Sequence, residues 1–301
     1  MSAAMTAIGL MSGLSLDGIE VALVVTDGER QLERGESLTF PYGPELRERL
    51  REAIAAAWRV NGEGGGTASD RDLLAAVEQE LTGLHAEAVK FFLEIHALAR
   101  DAVAVLGFHG HTVCRDAARG ILRQIGDGEV LARATGIDVV FDFRAADMAA
   151  GGHGAPMLSV YHRALAEQAG LARPLAVITI GAVNSITFIG EDGNLVAVDV
   201  GPTPNAEGIA SSIETLPAKP RMWLLAGRGA GNAALVDALR GMVAEPVYLA
   251  AELGWSADHL EAEAFAYLAV RSLRRLPLSF PGTTGVKQPT TGGRLARAPR
   301  R

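Results

Sequence analysis

The chain has 301 residues, 49% of them hydrophobic and 21% charged, with 35 glycines and a single cysteine. That balance excludes a disordered protein and a small disulfide-stapled one, and it leaves room for two domains or one large α/β unit. A net charge of -7 argues against nucleic acid or an anionic membrane surface as partner.

No apolar run approaches the roughly 20 residues that span a bilayer, and Met1 to Leu10 lacks the basic flank and cleavage site of a signal peptide, so the expectation is an intracellular protein. Ile8 to Met11 reads as a strand, followed by the small polar turn Ser12-Gly13-Leu14-Ser15. Ile19 to Val25 then reads as a second strand closed by Asp27-Gly28, and Leu32 to Phe40 as a third. Pro44 opens a helix with Leu46, Leu50 and Ile54 on one face. Gly62, Gly64, Gly65 and Gly66 form a linker, because no strand precedes them and no Lys-Ser/Thr pair follows. A longer helix follows, with Ser69 and Asp72 as its expected caps.

Val103 to Phe108 and Ile137 to Phe141 read as buried strands. The first ends in His109-Gly110-His111-Thr112, the second in Asp142-Phe143-Arg144 and then Asp147. Ligands of open α/β sheets sit at the carboxyl ends of strands, which makes these two loops the first places to seek a site. The second half repeats the plan: a strand over Leu175 to Ile180, a small-residue turn from Gly181 to Ser185, and a hairpin through Asp192-Gly193. A third glycine turn follows the strand Trp223 to Ala226, where Gly227-Arg228-Gly229-Ala230-Gly231-Asn232 precedes a helix from Ala233. The last helix covers Asp258 to Leu273, and an irregular tail is expected from Pro281.

Several residues admit more than one reading. His109, His111 and Cys114 lack the fourth ligand and the spacing of a closed zinc site. Cys114 has no triad companions at known spacing and reads as a packed thiol. By spacing alone Asp147 fits an N-cap or turn as well as a general base.

The run Ala7 to Glu20, with Met11-Ser12-Gly13-Leu14-Ser15-Leu16-Asp17-Gly18-Ile19-Glu20 at its centre, resembles the MSGTS-x-DG-x-D signature of the anhydro-N-acetylmuramic acid kinases. His109 to Val113 stands where that family has HGQTV. Gln124-Ile125-Gly126-Asp127, Asp142-Phe143-Arg144 with Asp147, and Gly151-Gly152-His153-Gly154-Ala155-Pro156 follow in the same order. Glu261 to Tyr267 and Pro281 to Gly285 are similar to the closing helix and tail. The resemblance implies a two-lobed actin-like, sugar-kinase fold, a duplicated ribonuclease H-like α/β ATPase. The lobes would cover residues 1–170 and 171–301, with the second truncated between about 201 and 217.

It also implies ATP-dependent phosphorylation of 1,6-anhydro-N-acetylmuramic acid in cell-wall recycling, with Mg²⁺, in the cytoplasm and as a homodimer. On this reading Asp147 is catalytic. The run Gly13, Leu14, Ser15, Leu16, Asp17, Gly18, Ile19 and Glu20 cradles the nucleotide phosphates, with Asp17 holding the metal. Gly181, Asp199, Gly201, Gly227 and Gly229 line the nucleotide loops of the second lobe, and His109, His111, Thr112 and Gln124 contact the sugar. Leu14 for Thr, Glu20 for Asp, His111 and His153 for Gln, Ala182 for Gly and Arg228 in the glycine turn depart from the family's pattern. These departures and the shortened lobe keep open a non-catalytic relative that binds a sugar or a partner, and fold alone leaves open a different phosphotransferase.

Overall fold

The computed structural model describes residues 3–62, 64–116, 119–181, 184–201 and 206–299. Two sheets with one shared plan organise them, each in its own compact unit. The first unit comprises residues 1–145, 262–276 and 292–301, and the second residues 146–261 and 277–291.

The first unit opens with an antiparallel meander of β1 (Met5–Ser12), β2 (Gly18–Thr26) and β3 (Leu32–Pro41). Two helices follow, α1 (Pro44–Val60) and α2 (Ala68–Ile95). Proline at the start of α1 suits a position whose N–H has no helical partner. The start of α2 corrects the sequence reading: Thr67 is the N-cap, not Ser69. Its hydroxyl accepts the Asp70 N–H at 3.1 Å while the Asp70 carboxylate accepts the Thr67 N–H at 2.8 Å. Then come β4 (Val105–Asp116), β5 (Ile121–Ile125), α3 (Gly128–Thr135) and β6 (Val139–Phe141). β4 runs parallel to both β1 and β6, and β5 folds back antiparallel on its distal half.

The second unit holds most of α4 (Ala145–Ala149), then α5 (Ser159–Gln168), β7 (Leu175–Thr179), β8 (Asn184–Ile189) and β9 (Leu195–Gly201). α6 (Ala206–Glu214), β10 (Trp223–Ala226), α7 (Ala233–Met242) and β11 (Val247–Leu249) complete its sheet and cover. Strands β7 to β9 are an antiparallel meander, while β10 and β11 add in parallel beside β7. The spatial order β9-β8-β7-β10-β11 therefore repeats β3-β2-β1-β4-β6, direction for direction. This is the duplicated ribonuclease H-like plan, carried by the strand order itself. Where the second lobe is short, α6 packs on β9 and α7 and sends Ile209 into a core with Trp223, Leu225, Val236 and Leu239.

The chain then re-enters the first unit as α8 (Leu260–Leu273), forms α9 (Pro281–Thr284) in the second, and ends in β12 (Arg294–Ala296), antiparallel to β6. The tail expected to be irregular thus supplies an edge strand; three residues are too few to show alternation in the sequence. Helix α8 lies with its backbone directly on the first sheet. A Cβ on Gly9 would come within 1.7 Å of the Ala262 carbonyl oxygen, and one on Gly107 within 2.0 Å of that of Phe265. Gly9 and Gly107 face each other in the β1–β4 register, so a glycine platform spans the two central strands.

Two predictions follow from this packing. Gly9→Ala forces α8 off the sheet and lowers unfolding free energy by about 3 kcal/mol, read from urea denaturation. The second concerns His85 on α2, His111 on β4 and His162 on α5, all fully buried. Desolvation pushes their pKa values down to about 4, about 4 and about 3. The folded protein keeps them neutral while the unfolded chain takes up protons below about pH 6.5, so stability is lost as pH falls from there toward 4. At pH 5 each contributes a loss on the order of 2 kcal/mol relative to pH 7. Denaturant midpoints that stay level from pH 7 to 5 would refute this.

Candidate active site

The C-terminal end of β1 and the middle of β4 carry the first group of residues singled out from sequence. Ser12 ends β1, and the chain turns through residues 13–17, with the Leu16 N–H donating to the Gly13 carbonyl at 3.1 Å, before β2 begins at Gly18. Leu16 is buried at φ +57, an uncommon conformation for a bulky residue, while Leu14, Ser15 and Asp17 are exposed. The glycines of this loop divide by cause. A Cβ on Gly18 would lie 2.2 Å from the Phe40 carbonyl oxygen, so the fold itself requires that glycine. A Cβ on Gly13 would meet nothing nearer than 3.7 Å, so the fold leaves open space at that position. Among the described residues no three His, Cys, Asp or Glu gather as a metal site, and Asp17 is a single exposed carboxylate. That donor set suits Mg²⁺ brought in on phosphates and water, rather than a closed protein cage.

Strand β4 does not stop before His109, as its sequence suggested, but continues to Asp116 because β5 pairs with its second half; along that stretch the structure brings together His109, Thr112 and Gln124 and adds Arg144. The His109 Nδ1–H donates to the Gly110 carbonyl at 2.8 Å, which leaves Nε2 to accept from the Gln124 amide and the Arg144 guanidinium, each at 3.0 Å. Burial, with the nearby Arg144 charge second, holds the His109 pKa well below its usual value, in keeping with a neutral ring. The Gln124 amide also lies 3.1 Å from the His109 carbonyl and 3.2 Å from the Thr112 hydroxyl. The next residues are tied down from α2 and α3: Glu78 accepts the Gly126 N–H at 2.9 Å, and Asp127 caps α3 through the N–H groups of Glu129 and Val130.

His111 stands apart from this group. A bulge pairs Leu10 with Phe108 but Ser12 with His111, and Gly110 at its centre has φ +75 with the Ile125 carbonyl oxygen 2.8 Å from where a Cβ would be. His111 is completely buried, with Nδ1 2.7 Å from Ser12 Oγ.

In the second unit, Asp147 is 2% exposed in α4. Its carboxylate turns away from capping its own helix. Oδ1 accepts the Gly154 N–H at 2.7 Å, and Oδ2 accepts the Thr284 hydroxyl at 2.5 Å. The 152–154 loop closes over it: the Gly152 N–H donates to the Asp147 carbonyl at 2.9 Å, and a Cβ on Gly152 would lie 2.3 Å from Oδ1. His153 fastens the loop to the tail through its N–H and its ring, both at 2.9 Å from the Thr284 carbonyl. The result is a buried carboxylate held in one orientation by both of its oxygens.

The glycine turns of the second sheet also converge. Asn184, fully buried, accepts the Gly181 N–H at 3.1 Å and donates to the Gly201 carbonyl at 2.9 Å, while the Gly201 N–H reaches Asp199 Oδ1 at 3.0 Å. Gly227 and Gly229 press on Ile180, whose carbonyl accepts the Gly229 N–H at 3.1 Å. Gly181, Asp199, Gly201, Gly227 and Gly229 therefore share one end of that sheet. Ala182 and Thr203, Pro204 and Asn205 lie outside the described residues. Sequence reasoning did not single out Asn184, Arg144 and Thr284, which bond to the candidate residues, or Tyr42, whose hydroxyl lies 2.6 Å from Ser12 Oγ. Arg144 and Thr284 stood inside quoted motifs, whereas Tyr42 carried no signal.

Comparison with known proteins identifies the family. The family model for anhydro-N-acetylmuramic acid kinase matches residues 5–206 and 203–298, two pieces that meet where the second lobe is short. A relative from Rhodopseudomonas palustris, named anhydro-N-acetylmuramic acid kinase, is 39% identical over 370 aligned positions, covering 97% of this chain and 99% of its own. Relatives of the same name from Rhizobium etli (39% identical, 97% and 98% covered) and Nitrobacter winogradskyi (36%, 97% and 100%) match as fully. Aligned spans of 370 positions against 301 residues mean that the relatives carry a segment this chain lacks. Among solved structures, component A of the Acidaminococcus fermentans (R)-2-hydroxyglutaryl-CoA dehydratase aligns distantly, with a TM-score of 0.44 at 12% identity over 90% of this chain and 99% of its own. On the match over nearly its whole length, the chain belongs to the anhydro-N-acetylmuramic acid kinase family.

Proposed function

We propose that this protein uses ATP to phosphorylate 1,6-anhydro-N-acetylmuramic acid while water opens the anhydro ring, giving N-acetylmuramic acid 6-phosphate for cell-wall recycling. The observation that carries this reading is the match to named kinases of that sugar over 97% of the chain. Asp147 accepts a proton from a water whose oxygen bonds to the anomeric carbon; the bond from that carbon to O6 breaks, and O6 takes the γ-phosphoryl group as the bond from that phosphorus to ADP breaks. Gly154 and Thr284 aim the carboxylate, which spares it reorientation during reaction.

The backbone of residues 13–18 binds the ATP phosphates, with Leu14 and Ser15 at the exposed tip and Ile19 and Glu20 next to it at the start of β2. Asp17 holds Mg²⁺ directly or through water. When bound, that ion offsets charge on the phosphates. Gly181, Asp199, Gly201, Gly227 and Gly229 hold the remainder of the nucleotide. Gln124, Thr112, His109 and Arg144 form a polar group for the sugar, whose acid function suits a guanidinium. The reaction takes place in the cytoplasm, in a homodimer.

Incubation with ATP, Mg²⁺ and the anhydro sugar yields ADP and sugar phosphate in equal amounts, with neither formed when the sugar is left out. Absence of product from folded protein would instead mark a non-catalytic relative. Asp147→Asn lowers kcat by about 100-fold or more with little change in sugar KM. Leu14→Thr restores a hydroxyl beside the phosphates and lowers the KM for ATP by roughly 3- to 10-fold, measured by initial rates across ATP concentration.

A further inference from the structure

Tyr42 lies just beyond β3, yet it bonds to both ends of the loop that follows β1. Its hydroxyl is 2.6 Å from Ser12 Oγ, at the last residue of β1, and its backbone N–H donates to the Asp17 carbonyl at 3.0 Å, one residue before β2. Between these two attachments lie only residues 13–16. Ser12 Oγ is in turn 2.7 Å from His111 Nδ1, so the entry to the loop is joined through side chains to β3's end on one side and to β4 on the other. Ser12 and His111 have no exposure and Tyr42 has 6%, so these bonds form away from water, where a lost partner is expensive. Leu16, inside the clipped segment, sits at φ +57, a conformation that persists only where its surroundings enforce it.

We propose that Tyr42 is a positioning residue for the nucleotide loop, clipping both of its stems, and that His111 serves the same end through Ser12 rather than by touching the sugar. The inference rests on the assignment of residues 13–18 to ATP made above. It explains why a histidine can stand where the family has glutamine. A glutamine amide, like an imidazole, can exchange a hydrogen bond with a serine hydroxyl, so the requirement is a polar partner for Ser12 rather than a particular ring.

Three variants test it: Tyr42→Phe, His111→Gln and His111→Leu, each first checked for a cooperative unfolding transition. Hydrogen exchange of the amides of residues 13–17 is measured in the absence of nucleotide, so this readout does not depend on activity. Tyr42→Phe and His111→Leu speed exchange there by roughly 3- to 10-fold, the loss of one buried hydrogen bond, while the rest of the first sheet keeps its protection and His111→Gln matches the wild type. In steady-state kinetics the same two variants raise the KM for ATP by a similar factor and leave the KM for the sugar unchanged. Unchanged exchange in Tyr42→Phe would overturn the clip whatever the enzyme's activity. A rise in sugar KM in His111→Leu without a change for ATP would return His111 to the sugar. Altered loop exchange in a protein that neither binds nor turns over ATP would keep the clip and remove the nucleotide assignment instead.

Discussion

The first unit depends on one contact, the backbone of α8 against Gly9 and Gly107. A helix normally stands about 10 Å from a sheet because side chains fill the gap; here carbonyl oxygens of Ala262 and Phe265 occupy the space a Cβ would need. Ala262, Ala264, Phe265, Ala266, Leu268, Ala269 and Val270 have no exposure, so the helix presents no wet face over that stretch. The two strands beneath it are β1, whose end leads into the residue 13–17 loop, and β4, which carries the His109-Gly110-His111 bulge. Any shift of α8 along the glycine platform would pass to the loop and the bulge, so the exactness of the ligand-binding residues rests on glycines well removed from them.

Much of this was legible in the sequence because the information is local. The strands β1 to β3 and β7 to β10 stand where apolar runs and turns put them, and the start of α1 follows from Pro44. Gly13, Gly18, Gly227 and Gly229 were visible as glycines in turns, but the sequence could not separate the glycine the fold needs from the one it does not; only the neighbouring atoms do that. The partners of Asp147 were hidden for another reason. Thr284 lies 137 positions away, and Gly154 acts through its backbone, which no residue type announces. Strand β5 was also overlooked, since Ile121 to Ile125 is short and half-buried and owes its form to pairing with β4.

The departures from the family's motifs carry different weights. His111 and His153 both replace glutamine and both remain bonded, one to Ser12 and one to the Thr284 carbonyl, so hydrogen-bonding capacity survives the exchange. Leu14 has no such compensation: it is exposed and apolar at the tip of the loop. The shortened second lobe retains a closed core because α6 inserts Ile209 beside Trp223, which lets a five-stranded sheet keep its cover with less chain.

The order in which the chain visits its two units bears on how it is made. Residues 146–261 are inserted whole into the first unit, which waits for α8 and β12 before its glycine platform is covered and its β6 edge is paired. During synthesis the ribosome therefore releases a sheet whose central strands are bare on one side until residues near the end of the chain emerge. Such pairings between distant segments form slowly, and an uncovered edge invites association with other chains in the interval. The connectivity thus places the hazard in synthesis, before α8 and β12 are in place.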